Sequence, residues 1–267
     1  MQGLINISLE VANSVATLTL NRPEKLNSLT QHMHAELCQA FDVIESEARS
    51  NNIRVLLLTG SGRAFCAGQD LNERRRIAGA PPPNLGQSLQ DNYNPLIQRI
   101  SLLPLPVLAA VNGIAAGSGA NLALACDLVV AARSAVFSQP FIHLGLIPDA
   151  GGTWALPRLV GMARAKAMTF LGERITADEA ERWGLIWKVV DDETLSSFAN
   201  TLARDLATKA TRSFALQKAA YAASSDNGLA AQLTLEAQLQ TRAGETSDYV
   251  EGVNSFFDKR EPRFTGR

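Results

Sequence analysis

The sequence predicts a layered α/β protein whose last third is helical, and three observations predict it. Over the first two thirds, short apolar runs rich in Val, Ile and Leu alternate with amphipathic or small-residue stretches, the order that builds a parallel sheet with right-handed crossovers. Two of the runs, IRVLLLTG (53–60) and the start of VLAAVNGIAAG (107–117), are apolar at nearly every position, as in strands covered on both faces. From Gly161 onward the patterning is helical almost throughout.

In chain order, VATLTL (15–20) alternates and is β-branched, so it reads as a strand. Residues 29–48 put Leu29, Met33, Leu37, Phe41 and Ile44 near helical spacing, giving a helix with one buried face. The strand at 53–60 leads into a glycine-bearing loop, GSGRAFCAGQDLNE (60–73). IAGAPPPNLGQSLQDN (77–92) reads as a loop-like insertion, because three consecutive prolines cannot hold a regular helix. A lid or substrate wall is one use for it and a tolerated surface loop another. VLAAVNGIAAG begins as a strand, GSGANLALACD (117–127) continues as a small-residue helix, and LVVAA (128–132) returns as a strand. AVFSQP (135–140) is a short strand leading into the loop HLGLIPDAGGTW (143–154). Helices are expected over GMARAKAMTFLG, TADEAERWGL, LSSFANTLARDLATK, TRSFALQKAAYAAS and the run from Gly228 to Arg260. TADEAERWGL opens with a capping box formed by Thr176 and Glu179.

The chain has 267 residues, 46% of them hydrophobic, and a formal net charge of -1. Near-neutral charge gives no electrostatic support to nucleic-acid or membrane-surface binding. Cys38, Cys66 and Cys126 are too widely spaced for a metal pair or a disulfide framework. They are expected to be small buried hydrophobes in a reducing compartment. Residues 1–20 lack a basic region followed by an apolar core, so no secretion signal is expected. The longest apolar stretch is broken by Pro, Gly, Asn and Asp, and reads as buried core rather than a membrane span.

Candidate chemistry is sparse. AAGSGA (115–120) and GSGRAF (60–65) complete neither a dinucleotide fingerprint nor a P-loop. Such small-residue turns either permit close packing or present backbone N–H groups to an oxyanion. His32 and His34 lie two apart on a helix and cannot face one ligand together; His143 is alone, so no zinc set exists. Ser118 has no evident base for a serine triad. Among the acids, Asp70 suits capping of LNERRR, and Asp127 lies between a helix and a strand, where a backbone hydrogen bond is its ordinary role. Asp149 has the weakest structural reason, because Thr153 and the glycines could make its turn without it. Turn chemistry and catalysis both stay open for it.

Three stretches, NRPEKLNSLT (21–30), LTGSGRAFCAGQDLNE (58–73) and residues 109–161, together resemble the enoyl-CoA hydratase/isomerase, or crotonase, superfamily over essentially the whole chain. Within it, FCAGQDLNE, NYNPLI, GLIPDAGGTW and WGLIWKVVDDETL resemble the branch that isomerises the ring 1,2-epoxide of phenylacetyl-CoA in aerobic phenylacetate degradation. The resemblance implies a crotonase-like spiral of strand–helix repeats with the active site over residues 1–200. It also implies a C-terminal helical region, 201–267, for trimerisation and pocket closure, with trimers often stacked into hexamers. The implied substrate is an acyl-CoA thioester, with no cofactor beyond the CoA it carries, no metal, no nucleic-acid or membrane partner, and a cytoplasmic location. By motif position, the backbone N–H groups of Gln69 and Ser118 would hold the thioester oxygen as it gains charge, with Gly68 and Gly117 shaping the turns. Lys25, Leu26 and Ala67 match CoA-contact positions, and Lys259 is the C-terminal lysine that can approach the CoA of the next subunit. Asp70 and Leu71 belong to the same substrate-binding stretch, while Tyr93, Phe141 and Trp154 would wall the acyl group. Arg22, close by in sequence, has an ordinary surface ion pair as its default role.

The departures from the family are informative. Hydratases of this family carry two glutamates that handle water; here those positions hold Asn121 and Phe141. Asp149 stands where hydratases have glycine and where several isomerases place their carboxylate. A double-bond shift needs one base that removes a proton and returns it elsewhere, whereas hydration suits two acid–base groups. The expected activity is therefore isomerisation of ring-1,2-epoxyphenylacetyl-CoA to oxepin-CoA. A shift of 3,4- to 2,3-dehydroadipyl-CoA is expected beside it. The alternative is an enoyl-CoA hydratase, or another enoyl-CoA isomerase, of fatty-acid oxidation. Burial in an apolar pocket should raise the pKa of Asp149.

Overall fold

The computed structural model describes residues 3–75 and 83–267. Strands β1 (Ile7–Ala12) and β2 (Val15–Leu20) form an antiparallel hairpin turned at Asn13 and Ser14, both in the left-handed region. Helix α1 (Gln31–Arg49) starts where the Thr30 hydroxyl accepts the Met33 N–H at 3.2 Å, and it buries Met33, Leu37, Phe41 and Ile44. β3 (Val55–Gly60) then returns parallel to β2. Burial of Leu56, Leu57 and Leu58 makes β3 the apolar centre of the sheet, at about 1.5–3 kcal/mol per side chain.

Beyond β3 the chain repeats one turn. β4 (Ala64–Cys66) leaves for a second sheet, and α2 (Leu85–Ser88), a wide π-turn (Leu89–Tyr93) and α3 (Asn94–Leu102) carry the chain back. β5 (Val107–Val111) lies beside β3, and β6 (Ile114–Ala116) lies beside β4. Helix α4 (Ser118–Leu124) follows; β7 (Leu128–Ala132) adds to β5 and β8 (Val136–Ser138) to β6. Each turn thus contributes one parallel strand to each sheet, which is a spiral. After α5 (Gly152–Leu171), β9 (Arg174–Thr176) closes the smaller sheet. After α6 (Ala177–Trp183), β10 (Lys188–Val190) closes the larger one. The orders are β1-β2-β3-β5-β7-β10 and β4-β6-β8-β9. Helix α7 (Leu195–Ala207) lies across β2, β3, β5 and β7, and α8 (Thr211–Ser224), α9 (Leu229–Gly244) and α10 (Ser247–Asp258) complete the chain. One ion pair ties these last helices to the sheet. Lys218 Nζ on α8 reaches Asp127 Oδ2 at 2.8 Å and the Leu105 carbonyl at 3.2 Å, while the same Asp127 oxygen accepts the Val107 N–H at 2.7 Å. Asp127 therefore has the backbone role expected of it.

Several expectations change. The run 107–117 is two strands in two sheets, because Asn112 and Gly113 turn the chain between them. A Cβ on Gly113 would sit 2.2 Å from the Arg63 carbonyl oxygen, so only glycine permits that crossing. The described part of the 77–92 insertion is largely helical, started by the Asn84 side chain accepting the Gln87 N–H at 3.0 Å; residues 77–82 lie outside the described residues. α5 begins at Gly152, not Gly161, and Gly161 (φ 76°, ψ 161°) is a kink within it. Strand β1 was not expected. Cys66 and Cys126 are buried, but Cys38 is exposed on the outer face of α1. The capping box at Thr176 and Glu179 is present. Among the described residues, no helix is long and apolar enough to cross a membrane.

Candidate active site

The three parallel strands of the smaller sheet, β4, β6 and β8, end together, and each runs into a candidate segment. After β4, the Leu29 N–H donates to the Gly68 carbonyl at 2.7 Å and the Asp70 N–H to the Leu29 carbonyl at 2.9 Å. This one-residue parallel bridge uses the groups flanking Gln69, so the Gln69 N–H turns away from Leu29. After β6, Gly117 (φ 54°) breaks the strand and Ser118 opens α4, where a first-turn N–H has no intrahelical acceptor. Among the described residues, neither the Gln69 N–H nor the Ser118 N–H has a hydrogen-bond partner. The two segments adjoin. A Cβ on Gly68 (φ 88°) would lie 2.8 Å from the Ala116 carbonyl oxygen and 3.5 Å from the Ser118 nitrogen, so glycine is required there twice over.

After β8, the chain passes through Gln139 and a short 3₁₀ turn, Pro140–Leu144, to Asp149 just ahead of α5. The Asp149 main chain is clamped. Its carbonyl accepts the Asn121 Nδ2 at 2.8 Å, and Asn121 Oδ1 accepts the Gln139 Nε2 at 2.7 Å; both amide side chains are buried. Asn121 thus stands at a hydratase glutamate position with both ends of its amide engaged by the protein. It fixes the acid against α4, the helix that Ser118 begins. The Asp149 side chain is different. Its Oδ1 is buried and has no partner among the described residues. Burial pushes the carboxyl up to about 6, against the opposing pull of its own backbone N–H and of the Arg74 guanidinium. A base held near neutrality suits proton transfer.

Tyr93 links these parts. It is buried, its hydroxyl donates to Gln69 Oε1, and the Ser118 hydroxyl stands beside it. Burial, then the nearby Asp149 carboxyl, pushes the phenol upward. Phe141 is buried against Gly117, where a Cβ would meet its ring at 3.5 Å. Trp154 is 55% exposed on the first turn of α5, with the Arg158 guanidinium 4.3 Å over its ring. It is therefore not packed in the core of this chain.

The CoA-contact candidates Lys25, Leu26 and Ala67 are neighbours: Leu26 (φ 51°) ends the turn Pro23–Lys25, and its carbonyl accepts the Ala67 N–H at 2.9 Å. Asp70 is engaged by the protein. It accepts the Asn72 N–H at 3.0 Å and Asn72 Nδ2 at 2.8 Å, capping the turn Leu71–Arg74, and pairs with Arg22 at 3.1 Å. Burial pushes its carboxyl up, but those hydrogen bonds outweigh burial and hold it below the usual range. The Arg22 pair is half-buried structure rather than surface decoration, and Leu71 is exposed. Lys259 is the exposed left-handed residue that ends α10, and its ammonium has no partner among the described residues.

Sequence reasoning passed over three residues. Gln139 completes the clamp on Asp149. Arg74 donates to Gln69 Oε1 at 3.2 Å and to the Ser88 hydroxyl. His34 is buried edge-on to Tyr93, ring centroids 4.3 Å apart. Burial, then Arg74, pushes the His34 imidazole down to about 4, and its Nε2 has no partner among the described residues. Nothing in ERRR singles out Arg74, and no periodicity separates an inward His34 from an ordinary core histidine. Among the described residues no cluster of His, Cys, Asp and Glu has a metal-binding arrangement.

This arrangement can be set beside known proteins. Residues 10–267 match the model of the family described as enoyl-CoA hydratase/isomerase. The chain is 53% identical over 257 residues to the 1,2-epoxyphenylacetyl-CoA isomerase of Escherichia coli K12, covering 96% of this chain and 97% of that protein. It is 39% identical over 253 residues to the 2,3-dehydroadipyl-CoA hydratase of the same organism, covering 95% and 96%. The crystal structure of an enoyl-CoA hydratase from Bacillus anthracis superposes with a TM-score of 0.91 at 38% identity, covering 98% of this chain and 100% of that one. The two-sheet spiral, the two open amides at the ends of β4 and β6, and these likenesses over nearly the full length agree. The chain belongs to the enoyl-CoA hydratase/isomerase family.

Proposed function

We propose that the chain is an acyl-CoA isomerase that uses Asp149 as its single proton carrier. The observation that carries this reading is the Asp149 carboxylate, buried and unpartnered at Oδ1, on a backbone clamped to the helix that opens with Ser118. In a 3-enoyl-CoA, Asp149 takes a proton from C2. The electron pair moves into the thioester carbonyl, whose oxygen becomes anionic and is held by the Gln69 and Ser118 N–H groups. The same carboxyl then returns the proton to C4, leaving the double bond between C2 and C3. Asn121 and Phe141 offer no second carboxylate for activating water, which favours isomerisation over hydration.

The likeness to the Escherichia coli 1,2-epoxyphenylacetyl-CoA isomerase supports a finer reading: opening of the ring epoxide of phenylacetyl-CoA to an oxepin, in aerobic phenylacetate catabolism. That ring expansion moves no net proton, so polarisation of the thioester by the two amides is the main contribution. A shift of 3,4- to 2,3-dehydroadipyl-CoA uses the proton carrier as above. Lys25, Leu26 and Ala67 would hold CoA, joined by Lys259 of a neighbouring subunit in a trimer or a dimer of trimers. Exposed Phe256 and Phe257 on α10 support such an assembly. We place the enzyme in the cytoplasm.

The test is product identification by mass spectrometry and NMR after incubation with the ring epoxide and with 3,4-dehydroadipyl-CoA, and with crotonyl-CoA for water addition. Oxepin-CoA and 2,3-dehydroadipyl-CoA are expected, with at most trace hydration. Efficient hydration of crotonyl-CoA without isomerisation would overturn the reading.

A further inference from the structure

A half-buried cation whose charge reaches the acid makes no salt bridge among the described residues. The Arg74 guanidinium is fixed by Gln69 Oε1 at 3.2 Å and by the Ser88 hydroxyl, both neutral acceptors. No carboxylate of the described residues pairs with it, and residues 1–2 and 76–82 contain no Asp or Glu. Two other partly buried guanidiniums have such a partner. Arg22 pairs with Asp70, and Arg99 pairs with Asp42 and Glu45. A second unmet group lies next to the first. The Nε2 of His34, a residue only 7% exposed, has no partner, and its ring packs on Tyr93. Tyr93 in turn donates to the same Gln69 oxygen that Arg74 holds.

The side of the site on which Arg74 acts follows from its neighbours. It shares the Gln69 oxygen with Tyr93, on which the His34 ring packs, and its charge is felt by Asp149, the proton carrier proposed above. Lys25, Leu26 and Ala67, the residues proposed to hold CoA, are joined through the Ala67 N–H and the Leu26 carbonyl, and none of them bonds to Arg74. An anion that answers Arg74 would therefore sit on the acyl group and not on the CoA phosphates. The guanidinium is one hydrogen bond from the side chain of Gln69, whose main chain would hold the thioester oxygen, so the acyl chain has to be short.

We propose that Arg74 is a specificity-determining residue that binds a carboxylate at the far end of a short acyl chain, with His34 Nε2 as a further polar contact. The 3,4-dehydroadipyl thioester of the proposed function ends in such a carboxylate. The inference rests on the acyl-CoA isomerase reading and names a residue through which that site discriminates. A guanidinium–carboxylate pair adds charge-assisted hydrogen bonds that a methyl terminus cannot make.

The experiment compares two six-carbon 3-enoyl-CoAs that differ only at C6, one ending in carboxylate and one in methyl. They are turned over by the wild type, Arg74→Met and Arg74→Lys. The wild type should favour the carboxylate-ended chain. Arg74→Met should lower kcat/KM for that chain roughly 10- to 100-fold more than for the methyl-ended one. The effect should fall mainly on KM, and Arg74→Lys should restore part of it. Equal losses on both substrates would mean that Arg74 only braces Gln69, and would overturn the proposal; so would a wild type without preference. Calorimetry with saturated hexanedioyl-CoA and hexanoyl-CoA separates this from failure of the isomerase reading. Binding discrimination that disappears in Arg74→Met, without any turnover, would retain Arg74 and reject the reaction. Turnover without binding discrimination would do the reverse.

Discussion

Asp149→Asn should trade activity for stability. In the folded protein the Asp149 carboxyl is raised from 3.8 to about 6 because it is buried and its Oδ1 meets no donor. The folded state therefore holds this proton more tightly than the unfolded chain does. The stability it contributes is fully present below about pH 4 and is lost as pH rises to about 6, with no further change above that. Two units correspond to about 3 kcal/mol. Because the residue is partly solvated, a realistic loss is about 1–3 kcal/mol. Asparagine keeps the shape and removes the titration. Urea unfolding should find Asp149→Asn more stable than the wild type by about 1–3 kcal/mol at pH 8, with the gap closing near pH 4. Turnover of a 3-enoyl-CoA should fall on the order of 10²- to 10⁴-fold, because the proton carrier is gone. In the wild type, kcat/KM should rise as pH passes about 6, where the carboxyl ionises. Turnover of the variant within tenfold of the wild type, or a stability gap that is the same at both pH values, would refute the reasoning.

Other substitutions probe the scaffold of the site. Gly119→Ala would drive a Cβ to 2.3 Å from the Cys66 carbonyl oxygen, a backbone atom that cannot swing aside. The expected cost is about 1–3 kcal/mol or more, read as a melting temperature lowered by roughly 5–10 °C. Asn121→Leu would leave the Asp149 carbonyl and Gln139 Nε2 without partners. It should destabilise by about 1–3 kcal/mol in urea unfolding and lower kcat more than it raises KM, because the acid drifts while the amides stay. Arg22→Met removes the ion pair to Asp70 and the donation to the Ser28 carbonyl. It should cost about 1–3 kcal/mol by thermal melting and loosen the Lys25–Leu26 turn, weakening CoA binding in calorimetry.

The larger sheet was legible because its central strands are long enough for apolar pattern to speak. VATLTL, VLLLTG and LVVAA are five or six residues each, and their burial is nearly continuous. The smaller sheet, apart from β8 in AVFSQP, was hidden for the opposite reason. β4, β6, β8 and β9 have three residues each, too few for any period, and their partners are distant in sequence. β1 escaped because it is an edge strand with a half-exposed outer end. The early turns of α5 were masked by Gly151, Gly152 and Pro157, which read as punctuation although the helix runs through them. The site divided in the same way. Asp149, Gln69 and Ser118 were named by motif position, since two backbone N–H groups and one acid in a turn leave little composition signal. The clamp formed by Asn121 and Gln139, and the inward-facing Arg74, depend on contacts between turns of the spiral that no local window contains.

The ammonium of Lys218 has a mechanical consequence. It closes onto Asp127, which in turn holds the first amide of β5, so the late helices and the innermost strand share one anchoring point. Peeling α8 away would strand a half-buried anion and free the start of β5, the strand that turns at Asn112 and Gly113 into β6 and so toward Gly117 and Ser118. Heat or a protease acting on the C-terminal third should therefore reach the amide pair more than ninety residues upstream, and the two regions should melt in a single transition rather than in sequence.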